Sequence, residues 1–218
     1  LVQGFEPREY LRMLRHNTPM RVAKTLARQC LGISSRQSAT LARDLGVARL
    51  PKLSLLRQSA TAMTFPDETF DFVYSHSVFE HIDDPEAALR EVNRVLRPGG
   101  VAYISVHLYT SYNGSHDPQV LADGCPVEPL WRHLRPSLRD TIHPNAYLNK
   151  LSLSAWRSLF ETIFPGGHLL TEPMLENVKD ELRILREQGE LFEYTDEELL
   201  TVNCIGIWRK PSLGSGLR

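Results

Sequence analysis

Cysteine is scarce in this 218-residue chain: Cys30, Cys125 and Cys204 stand far apart, with no CxxC pairing. That excludes a disulfide framework and a cysteine-built zinc site, and makes a reducing cytoplasm the expected compartment. Long apolar runs are missing as well. None approaches the roughly 20 residues of a membrane span, and nothing resembles a signal peptide, so no membrane partner is expected. Charge of one sign does not dominate, with 25 Lys and Arg against 26 Asp and Glu. Glycine is thin where a ligand loop would be sought: before Gly99 there are only Gly4, Gly32 and Gly46, and none forms a G-x-G pair. A glycine turn that lets the backbone approach a cofactor at a helix N-terminus is therefore absent from that part of the chain.

What is present is concentrated between Leu53 and Leu108. Three short runs rich in Val, Ile, Phe and Tyr, at Leu53–Leu56, Phe70–Tyr74 and Val101–Val106, read as strands. Between the last two lies a helix with its own boundary signals. Asp84 suits the N-cap, Pro85 the first turn and Glu86 the positive end of the dipole. Ala88, Leu89, Val92, Val95 and Leu96 form its apolar stripe, and Arg97-Pro98-Gly99-Gly100 ends it. Val101–Val106 is apolar almost throughout, as a strand covered on both faces requires. The expected class is α/β, a doubly wound sheet whose ligand cleft lies beyond the carboxyl ends of its parallel strands. Ser75, His76 and Ser77 fall at that edge.

The phrases FPDETFDFVYSHSVFEHIDDP (Phe65–Pro85) and ALREVNRVLRPGG (Ala88–Gly100) resemble the class I S-adenosylmethionine-dependent methyltransferases, in particular the type 11, small-molecule subgroup related to the ubiquinone/menaquinone C-methylases. The resemblance extends from about Gly32 to His107. It implies a Rossmann-like, mainly parallel sheet with an antiparallel C-terminal strand, S-adenosylmethionine at the strand ends, and a small-molecule methyl acceptor.

Three departures from the family pattern bear on the cofactor. The first strand and its glycine loop are missing between two leading helices. The chain begins at Leu1 rather than Met, which leaves open whether that segment lies upstream or is lost. The second strand would be Cys30–Ser35, where Gly32 or Ser34 stands in the place of the carboxylate that binds the ribose. After the third strand, Ser59, followed by Ala60, replaces the Asp that binds adenine. Hydrogen bonds to a charged group are worth on the order of 1.5–3 kcal/mol each, so weak or lost cofactor binding is expected. Gly32, Ser34, Ser59, Ala60, Ser75, His76 and Ser77 are the residues that would line the pocket.

His76 and His81 are the candidate catalytic residues, because imidazole titrates near neutrality. His81 could equally bond a backbone carbonyl and shape the turn before Asp83-Asp84. Glu80 could orient a substrate amine or face water. Asp83 and Asp84 read as a helix cap, and Asp67 and Asp71 as turn formers.

From Leu1 to Gln58 eleven Lys and Arg meet only three Asp and Glu. No aromatic interleaving or nucleic-acid motif accompanies them, so two amphipathic helices with solvated basic faces are expected there rather than a nucleic-acid surface. Tyr109–His143 gathers Tyr109, Tyr112, His116, Trp131, His133 and His143 among prolines, the place for a substrate lid. These histidines lack metal-site spacing, and no metal is expected. Asn113-Gly114-Ser115 reads as a plain turn. A helix follows at Tyr147–Phe164 with Ser154 as N-cap. Strands at Leu169–Thr171 and Leu200–Trp208 would flank an acidic helical surface arm, Glu176–Glu193.

The expected organisation is N-terminal helices over 1–29, a methyltransferase-like core over 30–108, a lid insertion over 109–165, a C-terminal strand pair over 166–211 and a disordered tail over 212–218. The second function class that fits is a non-catalytic methyltransferase-like binding module. The sequence sets no oligomeric state.

Overall fold

A computed structural model describes residues 19–51, 54–117, 121–122, 125–126, 129–173 and 176–212. The helix expected near Glu6–Leu14 lies outside the described residues, as does the tail beyond Ser212. The chain divides into two compact units, Leu1–Leu56 and Arg57–Arg218.

In the first unit, α1 (Pro19–Cys30) and α2 (Ile33–Asp44) are joined by a turn in which Gly32 takes φ 64°. The strand expected over Cys30–Ser35 is thus the end of one helix and the start of the next. A short apolar run does not distinguish the two states, and the flanking Ala, Leu, Arg and Gln are strong helix formers. The left-handed backbone at Gly32 supplies the break. The strand expected at Leu53–Leu56 also fails to form over its described part: Ser54–Leu56 is irregular, and Leu55 and Leu56 are exposed.

The second unit is built on four strands, β1 (Phe70–His76), β2 (Leu96–His107), β5 (His168–Pro173) and β6 (Thr201–Arg209), in the order β1-β2-β6-β5. A separate short hairpin pairs β3 (Leu121–Ala122) with β4 (Cys125–Pro126). β1 is parallel to β2, while β6 is antiparallel to both of its neighbours. Three strands therefore run one way and the C-terminal one is reversed, as expected. Val101–Val106 is internal. The register slips between Phe70 and Phe72, so the sheet is irregular at β1.

Helix α3 (Pro85–Val95) makes the β1-to-β2 crossover, and Asp84 Oδ1 caps it by accepting from Ala87 N at 2.9 Å. Helix α4 (Leu153–Ile163) follows the 109–150 segment, with the cap at Ser152 rather than Ser154: Ser152 Oγ accepts from Ala155 N. Ala88, Leu89 and Val92 of α3 and Trp156, Phe160 and Ile163 of α4 bury a common core with Ala102, Ile104, Val106, Cys204 and Trp208 of the sheet. The alternate residues Phe72 and Tyr74 of β1 are exposed, and Tyr74 stacks on Tyr103 with ring centroids 5.5 Å apart.

The acidic segment is not a free arm. Helix α5 (Glu176–Glu187) buries Val178, Leu182 and Leu185 against Leu130, Trp131 and Leu134. It stops before Gly189, which takes φ 84°, and a short helix α6 (Asp196–Leu199) precedes β6. This second apolar cluster seats the 109–150 segment.

Arg94 and Glu91 of α3 fasten the chain that enters β1. Glu91 accepts from Met63 N at 2.7 Å and from Arg94, whose guanidinium also donates to Met63 O, Phe65 O and Asp67 Oδ1. The Arg94 guanidinium first, then the Met63 N–H, hold the Glu91 carboxyl below its ordinary value of 4.5. A depressed acid contributes stability that is present above its unfolded value and lost as pH falls through the folded one. Wild type is therefore expected to be more stable than Glu91→Gln above pH 4.5. The gap should close in acid, which denaturant titrations across that range will read.

Candidate functional site

Adjacent parallel strands place His76, the last residue of β1, and His107, the last of β2, at the same edge of the sheet. Ser77 follows at φ 50° and donates its N–H to Ser105 O, which ties the departing chain to β2. A short 3-10 turn, Phe79–His81, comes next. Asn149 pins it from the far side of the segment, donating Nδ2 to Phe79 O and Ile82 O and its backbone N to Glu80 O. The turn drives Glu80 inward to 3% exposure, so it does not face water.

After His107 the chain folds back tightly through Leu108–Asp117. Gly114 is required there, since a Cβ would come within 2.2 Å of Tyr109 O and 2.3 Å of Leu108 O. The turn carries His116 back onto His107, Nε2 to Nδ1 at 3.0 Å. The other nitrogen of His107, Nε2, lies 3.1 Å from Ser111 Oγ and 3.0 Å from Asn113 Oδ1. Since an amide oxygen can only accept, His107 carries a proton on Nε2 and faces His116 with a lone pair on Nδ1. Asn113 is therefore part of a built turn.

Of the two candidate catalytic histidines, His81 is held by a carbonyl: its Nδ1 donates to Tyr147 O at 2.7 Å, and its ring stands edge-on to His116 at 4.8 Å. His76 is exposed, near enough for its charge to act on Glu80 and His107. Burial raises the Glu80 carboxyl above its ordinary range and lowers His107. Burial, with His107 and His81 nearby, brings His116 to about 4. Sequence reasoning missed His107 and the inward turn of Glu80. Glu80 lies 27 residues from His107 and 36 from His116, a separation that no local spacing encodes.

The cofactor candidates are divided between the two units. Gly32 and Ser34 sit in the first unit, Ser34 in the opening turn of α2. Ser59, in the second unit, spends its hydroxyl on its own turn, bonded to Thr61 Oγ1 at 2.7 Å and accepting from Thr61 N. Ala60 packs against the core. Among the described residues, neither strand that would carry the ribose and adenine contacts is formed. A cavity of about 600 Å³ is lined by Arg90, Asn93, Arg94, Trp208 and Lys210 among others. Another, of about 270 Å³, is lined by Tyr109, Ser115, His133, Asp140 and Lys150, inside the expected lid region. Neither Ser59 nor Ala60 offers the carboxylate that the family resemblance assigns to adenine. Among the described residues, no helix is long and apolar enough to cross a membrane.

A family profile described as a methyltransferase domain matches residues 18–104. The chain is 33% identical over 132 residues to the uncharacterized protein YafE of Escherichia coli, covering 55% of this chain and 58% of YafE. It is 39% identical over 61 residues to the ubiquinone/menaquinone biosynthesis C-methyltransferase UbiE of Shewanella baltica, covering 28% of this chain and 24% of UbiE. The chain thus spans little more than half of one relative and a quarter of the other. Among solved structures, an S-adenosylmethionine-dependent methyltransferase from Mesorhizobium loti is similar at TM-score 0.45 and 15% identity, covering 78% of this chain and 75% of that one.

Proposed function

We propose, from the match of residues 18–104 to a methyltransferase-domain profile, that this chain serves S-adenosylmethionine-dependent methyl transfer to a small-molecule acceptor, building the acceptor side and holding the cofactor weakly. The observation that carries the acceptor side is the convergence of His76, His81 and His107 at the ends of β1 and β2, from which the chain runs on into the 109–150 segment that encloses a small cavity. That segment acts as the lid, seated by the Trp131 and α5 cluster, and its Tyr109, His133 and Lys150 suit a compact polar ligand rather than a polymer. His76, exposed at the strand end, is the residue placed to accept a proton from the acceptor. His81 positions the turn.

A non-catalytic binding module is the second reading. One observation favours it, the local use of the Ser59 hydroxyl where the family holds adenine. Cofactor titration separates the two. A ligand present at 100 times its dissociation constant stabilises a fold by about 2.7 kcal/mol. The expected result for this chain is no thermal shift at millimolar S-adenosylmethionine. A clear shift, with micromolar affinity by calorimetry, would overturn the weak-cofactor reading.

A further inference from the structure

The geometry points to a divalent-cation site formed by Glu80, His107 and His116, three residues that each present one ligand atom within 4.8 Å of the others. The site stands on these side chains alone and does not depend on methyl transfer. Glu80 is 97% buried, and neither of its carboxylate oxygens has a hydrogen-bond partner among the described residues. The N–H groups of Glu80 and His107 favour its charge electrostatically without reaching bonding geometry. A carboxylate left so is costly to keep without compensation. A cation supplies that compensation where no donor does.

The imidazoles are arranged to match. With metal–nitrogen distances of about 2.0–2.1 Å, two ligands on one ion at 90–109° lie about 2.9–3.4 Å apart. His107 Nδ1 and His116 Nε2 are 3.0 Å apart. His107 is already in the metal-binding tautomer, because Asn113 Oδ1 and Ser111 Oγ take the proton side of its ring. That outer bond is the usual partner of a ligating histidine. Asn149 fixes the Glu80 turn, and the Gly114 turn fixes His116. Two histidines and one carboxylate suit Zn²⁺ or another first-row divalent ion, and leave at least one coordination position for water or a ligand oxygen. Buried carboxylates of this kind also occur protonated and metal-free, and the titration below distinguishes the two.

The test is Zn²⁺ titration of the EDTA-treated full chain by calorimetry, with Co²⁺ visible absorption as a second readout. One ion per chain is expected, with a rise in melting temperature. His116→Asn and Glu80→Gln should each weaken binding at least about tenfold, and Asn113→Ala about 10- to 100-fold through loss of the outer bond. His168→Asn, on the remote strand β5, should bind as wild type. Without metal, Glu80→Gln is expected to melt no lower than wild type, since it removes an uncompensated buried charge. If Glu80→Gln does not fold, His116→Asn decides alone. Binding below one equivalent, or stoichiometric binding unchanged in His116→Asn, would overturn the site.

Discussion

Gly206→Ala is expected to destabilise the second unit by about 1–3 kcal/mol, the usual cost of forcing extra volume into a packed core. Gly206 lies in β6 between Ile104 of β2 and Leu169 of β5, on the face shared with Cys204 and Trp208. A Cβ there would meet the Phe160 ring at 2.3 Å from Cε1 and 2.7 Å from Cδ1 and Cζ. That ring is 5% exposed and packed between Trp156 and Phe164, with centroids 6.2 and 6.0 Å away, so it can yield only toward the cavity of about 240 Å³ that borders Phe160 and Gly206. The glycine is what lets α4 approach the sheet. Phe160→Ala alone should cost about 3–5 kcal/mol by leaving a cavity. In the double variant the new methyl partly fills that cavity. The combined loss should fall short of the sum by at least about 1 kcal/mol in denaturant melts. Strict additivity would show that the two positions do not touch.

The second large effect is loss of stability in mild acid through His133. Its Nε2 donates to Tyr109 O at 2.6 Å, and its Nδ1 is buried with no hydrogen-bond partner among the described residues. The side chain is 6% exposed. Burial, with smaller contributions from His107 and Lys150, lowers it from 6.5 to about 4 despite the Tyr109 carbonyl. The unfolded chain therefore takes up the proton first. The contribution is intact above pH 6.5 and declines as pH falls from there to about 4, on the order of 3 kcal/mol in all. His116, also at about 4, adds a decline of the same sign. His133→Gln should flatten the stability profile between those limits and leave the His116 part. A variant profile as steep as wild type would show that His133 is not the proton acceptor.

Local chemistry made much of the second unit legible. The Asp84 cap, the Pro85 start and the stripe from Ala88 to Val95 define α3 without reference to anything distant, because capping and 3.6-residue periodicity act within a few residues. β1, β2 and β6 carry runs of β-branched and aromatic residues that identify them as strands, and the reversed C-terminal strand was expected from the family resemblance. The same local reasoning failed at Cys30–Ser35 and at Ser54–Leu56. A short apolar run becomes a strand only where a neighbour supplies its hydrogen bonds, and among the described residues no strand pairs with either segment. α5 shows the converse error: its acidic surface was visible, while the buried stripe of Val178, Leu182 and Leu185 had meaning only once Trp131 and Leu134 lay beneath it.

The sequence by itself determined the crossover unit, the strand ends at which His76 lies, and the family to which that stretch is related. All of these follow from short-range patterns in contiguous residues. Tertiary structure alone decided that Glu80 turns inward, that His107 and His116 meet, and that Ser59 closes its own turn. Those outcomes depend on Asn149 reaching Phe79 and Ile82 across about 70 residues and on the Gly114 turn folding back against Leu108. Burial and unpaired polar atoms arise from the packing of distant segments, so no spacing of residues along the chain could have recorded them.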